Sequence, residues 1–145
     1  MEDDVHAAFD AAIAKSVKLC EDFLLNFTKI KDYLNNLKKI NDIACKLQIV
    51  VSVSLDLPKE IVGQFSWRLS LGRGAIQFDK FDKREHEISF ISFKSVITSD
   101  SPESRAIILE VFKSMPKLLK DLESQANFKS GELSKLINSV IFGKD

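Results

Sequence analysis

The sequence predicts an α+β fold, and two observations carry that prediction. Residues 1–57 contain neither Gly nor Pro and repeat their apolar residues at helical spacing, whereas between Val51 and Lys94 the period of alternation falls to two. A third observation sets the scale. The chain has 145 residues, 45% of them apolar, with 21 Lys+Arg balanced by 21 Asp+Glu. That composition describes a single globular domain spanning 1–145. At this length a chain buries roughly 68–70% of its unfolded surface, so folding requires neither metal nor disulfide.

Residues 1–47 read as helix. In a heptad frame Ile13, Cys20, Phe27 and Leu34 occupy one seam position, and Phe9, Phe23, Ile30 and Leu37 the other. Asp3, Asp4 and Asp10 near the start and Lys38, Lys39 and Lys46 near the end suit the helix dipole. A helix of about 45 residues would be about 68 Å long, against a radius of gyration near 15 Å for a globule of this size. The helix must therefore break, with Asn35-Asn36 or Asn41 the weakest points, or its overhang must pack on the C-terminal helices or on a second copy of the chain. His6, Ser16 and Asn41 are polar entries in the seam and read as locally exposed.

Residues 48–98 read as an antiparallel meander. Val51, Val53, Leu55 and Leu57 alternate with Ser52, Ser54 and Asp56, and Phe65, Trp67, Leu69 and Leu71 with Ser66, Arg68 and Ser70. Gly72-Arg73-Gly74 provides the reversal into a third strand, Ala75 to Phe81. Asp82 to Glu85 forms the next turn, and Glu87 to Lys94 a fourth strand. Alternation slips at Asp79-Lys80-Phe81 and at Phe90-Ile91, which predicts bulges there. Trp67, Phe65, Leu69, Phe78 and Phe90 are the expected core of the sheet.

Residues 101–142 read as helices. Ser101-Pro102-Glu103 has a hydroxyl cap, a proline at the first helical position and an acid in the first turn. Ile108, Val111, Met115, Leu118 and Leu122 form an apolar stripe. Pro116 predicts a kink or restart, and a last helix is expected from about Gly131 to Phe142 with Ser130 as its cap.

Function is approached mainly through exclusions. The sequence holds no GxxxxGK[ST], HExxH or GxSxG motif and no metal-spaced His pair, so no catalytic residue, metal or cofactor is expected. Gly72-Arg73-Gly74 lacks the third glycine of a dinucleotide loop and lies between strands. His86 stands between Glu85 and Glu87, but alternate strand residues point to opposite faces, so a solvated hairpin end is the better reading. Cys20 and Cys45 lack a CxxC partner and read as buried free thiols. The absence of a basic start followed by an apolar block, together with apolar runs far below the ~20 residues of a membrane span, suggests a cytoplasmic protein. Zero net charge and lysines spread over several helix faces disfavour nucleic acid.

The distinctive feature is the polar side of the expected sheet. Ser52, Ser54, Ser66, Arg68, Ser70 and Gln77 share it, with small hydroxyls where Lys, Glu and Thr are usual. Such a face suits a protein partner, and Arg68 with the turn residue Arg73 are the candidate anchors, since arginine is enriched at interface hot spots. The expected function is a small non-enzymatic interaction protein acting as an inhibitor, immunity factor, adaptor or chaperone-like subunit, with a homodimer through the N-terminal helix as a further expectation. The alternatives are a ligand or enzyme site built from dispersed residues between helix and sheet, and a nucleic-acid binder.

Overall fold

Alternation in the middle of the chain becomes a four-stranded antiparallel sheet, and the flanking 3.6-residue periodicity becomes helix. A computed structural model of the chain describes residues 2–143. Met1, Lys144 and Asp145 lie outside the described residues. The chain divides into two compact units, one up to Leu34 and one from Asn35 onward.

The first unit is the helix α1, Glu2–Leu34. Helix does not run unbroken to residue 47. It stops at Asn35-Asn36, two poor helix formers whose side chains compete for backbone hydrogen bonds, and α2 resumes over Leu37–Leu47. Phe23 stacks on Phe27 along the α1 stripe, with ring centroids 6.0 Å apart. Val5, Phe9, Ile13, Val17 and Leu24 are exposed on this helix, whereas Phe27 and Leu34 are buried.

The second unit contains α2, the strands β1 (Val51–Leu55), β2 (Phe65–Leu71), β3 (Gln77–Asp82) and β4 (Glu87–Ser92), and three further helices. These are α3 (Lys59–Val62), α4 (Phe93–Thr98) and α5 (Pro102–Phe142). Strand order is β1-β2-β3-β4, a simple meander. Its inner face carries Val53, Leu69 and Phe78 in one row and Leu55, Trp67 and Lys80 in the next. That face packs with Ile107, Ile108, Val111, Met115 and Leu118 of α5 into a core whose side chains are all but inaccessible to water. Phe78 meets Trp67 edge-on at 5.9 Å and stacks with Phe93 of α4 at 6.3 Å. Lys80 closes the rim, its ammonium 4.3 Å from the Phe65 ring centre and 3.5 Å from the Glu103 carboxylate.

Several expectations are corrected. Register across β2–β3 and β3–β4 is one-to-one, with no bulge. The apparent slips arise because the inner face accepts Lys80 while the outer face takes apolar residues. Phe90 is therefore on the outer face and 64% exposed, not in the core. The fourth strand ends at Ser92, whose hydroxyl accepts the Ser95 N–H at 3.1 Å and starts α4. Ser101 caps α5 as expected, accepting from the Ser104 N–H at 3.1 Å.

The C-terminal region is one helix of 41 residues rather than two, running through Pro116 and Gly131. In a helix this long, one missing backbone donor and one flexible residue are outweighed by a continuous stripe. Cys20 is exposed and Cys45 half-buried, so neither is the buried thiol expected.

Asn41, expected at the surface, is 5% exposed. Its side-chain Nδ2 donates to the Gly74 carbonyl at 2.6 Å, and its Oδ1 accepts the Gly72 N–H at 2.8 Å. One amide thus fastens α2 to two backbone groups of the β2–β3 turn. Gly72 has φ +97°, and a Cβ there would run into the Ile49 carbonyl oxygen. Only glycine satisfies both the left-handed backbone and this approach. Gly72→Ala is expected to destabilise the protein by at least about 2 kcal/mol in urea unfolding, through strain and steric conflict together. A change below about 0.5 kcal/mol would contradict this account of the turn.

Candidate functional site

Direct cross-strand partners share a sheet face, so the register assembles the outer surface row by row. Ser52, Ser70, Gln77 and Ser92 form one row, and Ser54, Arg68, Asp79 and Phe90 the next. Ser66, Phe81 and Ile88 form the third. The structure thus brings together six of the seven residues singled out in the sequence, namely Ser52, Ser54, Ser66, Arg68, Ser70 and Gln77. It leaves Arg73 off the face, exposed in the turn beyond Ser70 and Gln77.

Their environments differ. Arg68 and Ser54 are exposed and Ser52, Ser66 and Gln77 half-buried, but Ser70 is buried and its hydroxyl has no hydrogen-bond partner. Ser70 therefore has little surface to offer a partner. A shallow cleft of about 300 Å³ opens on this face, lined by Ser54, Ser66, Arg68, Asp79, Phe81 and Ile88. It combines hydroxyls and two charged groups with an apolar wall.

That wall was missed in the sequence. Ile88 and Phe90 are 58% and 64% exposed, and Phe81 lies half-buried beside them. Extending strict alternation from Gln77 through Asp79 to Phe81, and pairing the third strand with the fourth, would have placed all three on the polar side. The outer face is thus a Ser- and Arg-bearing surface with an aromatic and aliphatic corner at β4.

Asp82 organises the turn leading into that corner. Its Oδ1 accepts the N–H groups of Arg84 at 2.9 Å and Glu85 at 3.2 Å, and the Gln64 amide donates to both carboxylate oxygens. Desolvation pushes its pKa up, but the bonds from Glu85, Arg84 and Gln64 with the Arg84 charge outweigh it and hold the carboxyl below its ordinary value. The turn continues through His86, which adopts φ +57°. The His86 ring lies 6.3 Å from that of Phe81. His86 is exposed at this hairpin end.

A larger cleft, about 710 Å³, lies within the second unit between α2, the β2–β3 turn and α4. Ala75, Ile76, Phe93 and Ile97 contribute apolar surface, and Lys38 and Lys94 contribute charge. Among the described residues, no three His, Cys, Asp or Glu side chains are grouped as a metal ion would need, and no helix is long and apolar enough to cross a membrane. Compared with known proteins, the chain matches no family model, no curated protein and no solved structure.

The Asp82 bonds set a pH window. Because the folded carboxyl titrates below its ordinary value of 3.8, the stability it contributes is complete above that value and is lost as pH falls through the depressed folded value. Asp82→Asn is expected to flatten the loss of stability measured by urea unfolding between about pH 5 and 2. Equal acid limbs in the variant and the parent would show that the carboxylate contributes nothing to the turn.

Proposed function

We propose that this protein is a non-enzymatic binding module that engages a protein partner through the outer face of its sheet. One observation carries the reading: Ile88 and Phe90, large apolar side chains, stand mostly exposed at the corner of a face whose other rows offer hydroxyls and Arg68. An isolated exposed apolar residue needs no explanation, but a contiguous apolar corner rimmed by polar groups is the usual make-up of an interaction surface. Inhibitors, immunity factors, adaptors and chaperone-like subunits all work this way. Two free cysteines accord with action in the reducing cytoplasm.

Arg68 is the expected polar anchor, lying between the hydroxyls and the apolar corner, with Arg73 as a flanking contact. Arg68→Glu and Arg73→Glu are each expected to abolish capture of the partner by the tagged protein from its native host, with an unchanged circular dichroism spectrum. Capture unaffected by both substitutions would remove the sheet-face reading. Self-association through α1, whose Val5, Phe9, Ile13 and Leu24 are exposed, is proposed as well. Light scattering after size exclusion tests it, and a monomer mass at micromolar concentration would sink it.

A second reading is favoured by the larger cleft, where Lys38 and Lys94 border an apolar floor and have no ion-pair partner among the described residues. An amphiphilic anion is the ligand such a cleft suits. Intact capture in both arginine variants, together with saturable binding of an aliphatic carboxylate that disappears in Lys38→Glu, would support this reading over the first.

A further inference from the structure

The β4 strand ends the sheet, so one of its two backbone edges faces no other strand. Which of its groups point outward follows from the ladder. Phe93 N–H donates to the Ile76 carbonyl at 3.2 Å, one residue beyond the last β3–β4 pair and in register with it. Antiparallel ladders alternate between bonded and non-bonded pairs, so Ile91 with Phe78, Ser89 with Lys80 and Glu87 with Asp82 are the bonded pairs. The main-chain N–H and C=O of Ile88 and Phe90 consequently point to the open edge.

The opposite edge is different. There the outward positions of β1 bear Ser52 and Ser54, and the adjoining Val50 carbonyl is taken by the Gln125 amide of α5 at 3.3 Å. Sheet edges of stable proteins are commonly blunted by proline, lysine, a bulge or a covering element. Within its six residues β4 has no Pro, no Lys and no bulge, and Glu87, Ile88, Ser89 and Phe90 are all exposed. Both the backbone and the side chains of this edge are thus available to the same ligand.

We infer that β4 is a strand-addition site, which takes an extended segment of the protein partner as a fifth, antiparallel strand. This rests on the reading of the protein as a binding module and names the chemistry of what it binds. Ile88 and Phe90 would each exchange two hydrogen bonds with the incoming backbone, as in other edge-strand complexes. Side-chain complementarity then defines the segment. Residues opposite Phe90 and Ile88 lie on the outer face and extend its apolar corner, so both are apolar. The residue after the second of these faces Glu87, an exposed carboxylate without an ion-pair partner among the described residues, and is therefore Lys or Arg. The recognised pattern is apolar, any residue, apolar, basic.

The probe is the capped peptide acetyl-Thr-Val-Thr-Val-Lys-Thr-amide, followed through the backbone amide resonances of the full chain. Saturable shifts centred on Ile88 and Phe90 are expected. Phe90→Pro deletes an outward N–H while leaving the bonds to β3, so it should weaken binding at least about tenfold with the far-ultraviolet spectrum retained. A test that alters only the peptide guards against a variant that fails to fold. Methylating the nitrogen of the first valine, which points at β4, should abolish binding, whereas methylating the threonine between the valines should not. Glu87→Lys should transfer preference to the peptide with Glu in place of Lys.

Equal binding of the two methylated peptides, or shifts that avoid β4, would overturn the proposal. So would self-association of the chain that Phe90→Pro abolishes, since a second copy would then own the edge. If the peptides fail to bind while Arg68→Glu still abolishes partner capture, strand addition falls and the binding-module reading stands. The converse outcome would retain the edge and remove the sheet face.

Discussion

The placement of α2 against the sheet rests on one directional joint, the Asn41 amide between Gly72 and Gly74. A helix and a sheet share no hydrogen-bonding lattice, so their mutual placement ordinarily depends on non-directional apolar packing. Here a buried side chain supplies direction, with one donor and one acceptor each matched to a backbone group of the β2–β3 turn. Gly72 lets the turn come close enough, its missing Cβ leaving room for the Ile49 carbonyl and Ala44. A buried amide left with unmet bonds would cost about 1–3 kcal/mol for each stranded group, so the joint is either complete or strongly unfavourable. That asymmetry fixes the end of the central hairpin against α2.

A second tie acts further along. Lys129 of α5 reaches the Leu47 and Gln48 carbonyls at 2.9 and 2.7 Å, meeting acceptors left over at the C-terminal end of α2. Gln48 takes the left-handed conformation that ends the helix there. Beyond this point the apolar stripe of α5 keeps its phase, yet Leu133, Leu136, Ile137 and Val140 are each at least 45% exposed. The stripe that is core in the first half of the helix is surface in the second half.

The architecture was legible where a single physical rule dominated. Period-two alternation located all four strands, and the Ser101-Pro102 signal located the start of α5 within a residue. The architecture was not legible where two rules competed. At Phe90, hydrophobicity argued for the core while strand alternation argued for the outer face, and alternation prevailed because backbone pairing leaves no freedom to rotate one residue. At Gly131 and Pro116, local breakers were outweighed by the cooperativity of a long helix. Asn41 was invisible for a different reason: its partners lie 31 and 33 residues away, and no local pattern announces a polar bond across that separation. The candidate face was half legible, since its hydroxyls and Arg68 follow from alternation whereas its apolar corner required the β3–β4 register.

Because the placement of α2 against the central hairpin depends on the Asn41 joint, the most direct test is native-state hydrogen exchange at the Gly72 amide. An N–H held by a buried acceptor at the hub of the unit exchanges only when the whole unit opens. The account requires Gly72 to exchange with the same free energy as core amides such as Leu69 in the parent protein, and to lose that protection in Asn41→Ala. A Gly72 amide that exchanges as fast as an unstructured loop in the parent would contradict the account at its foundation.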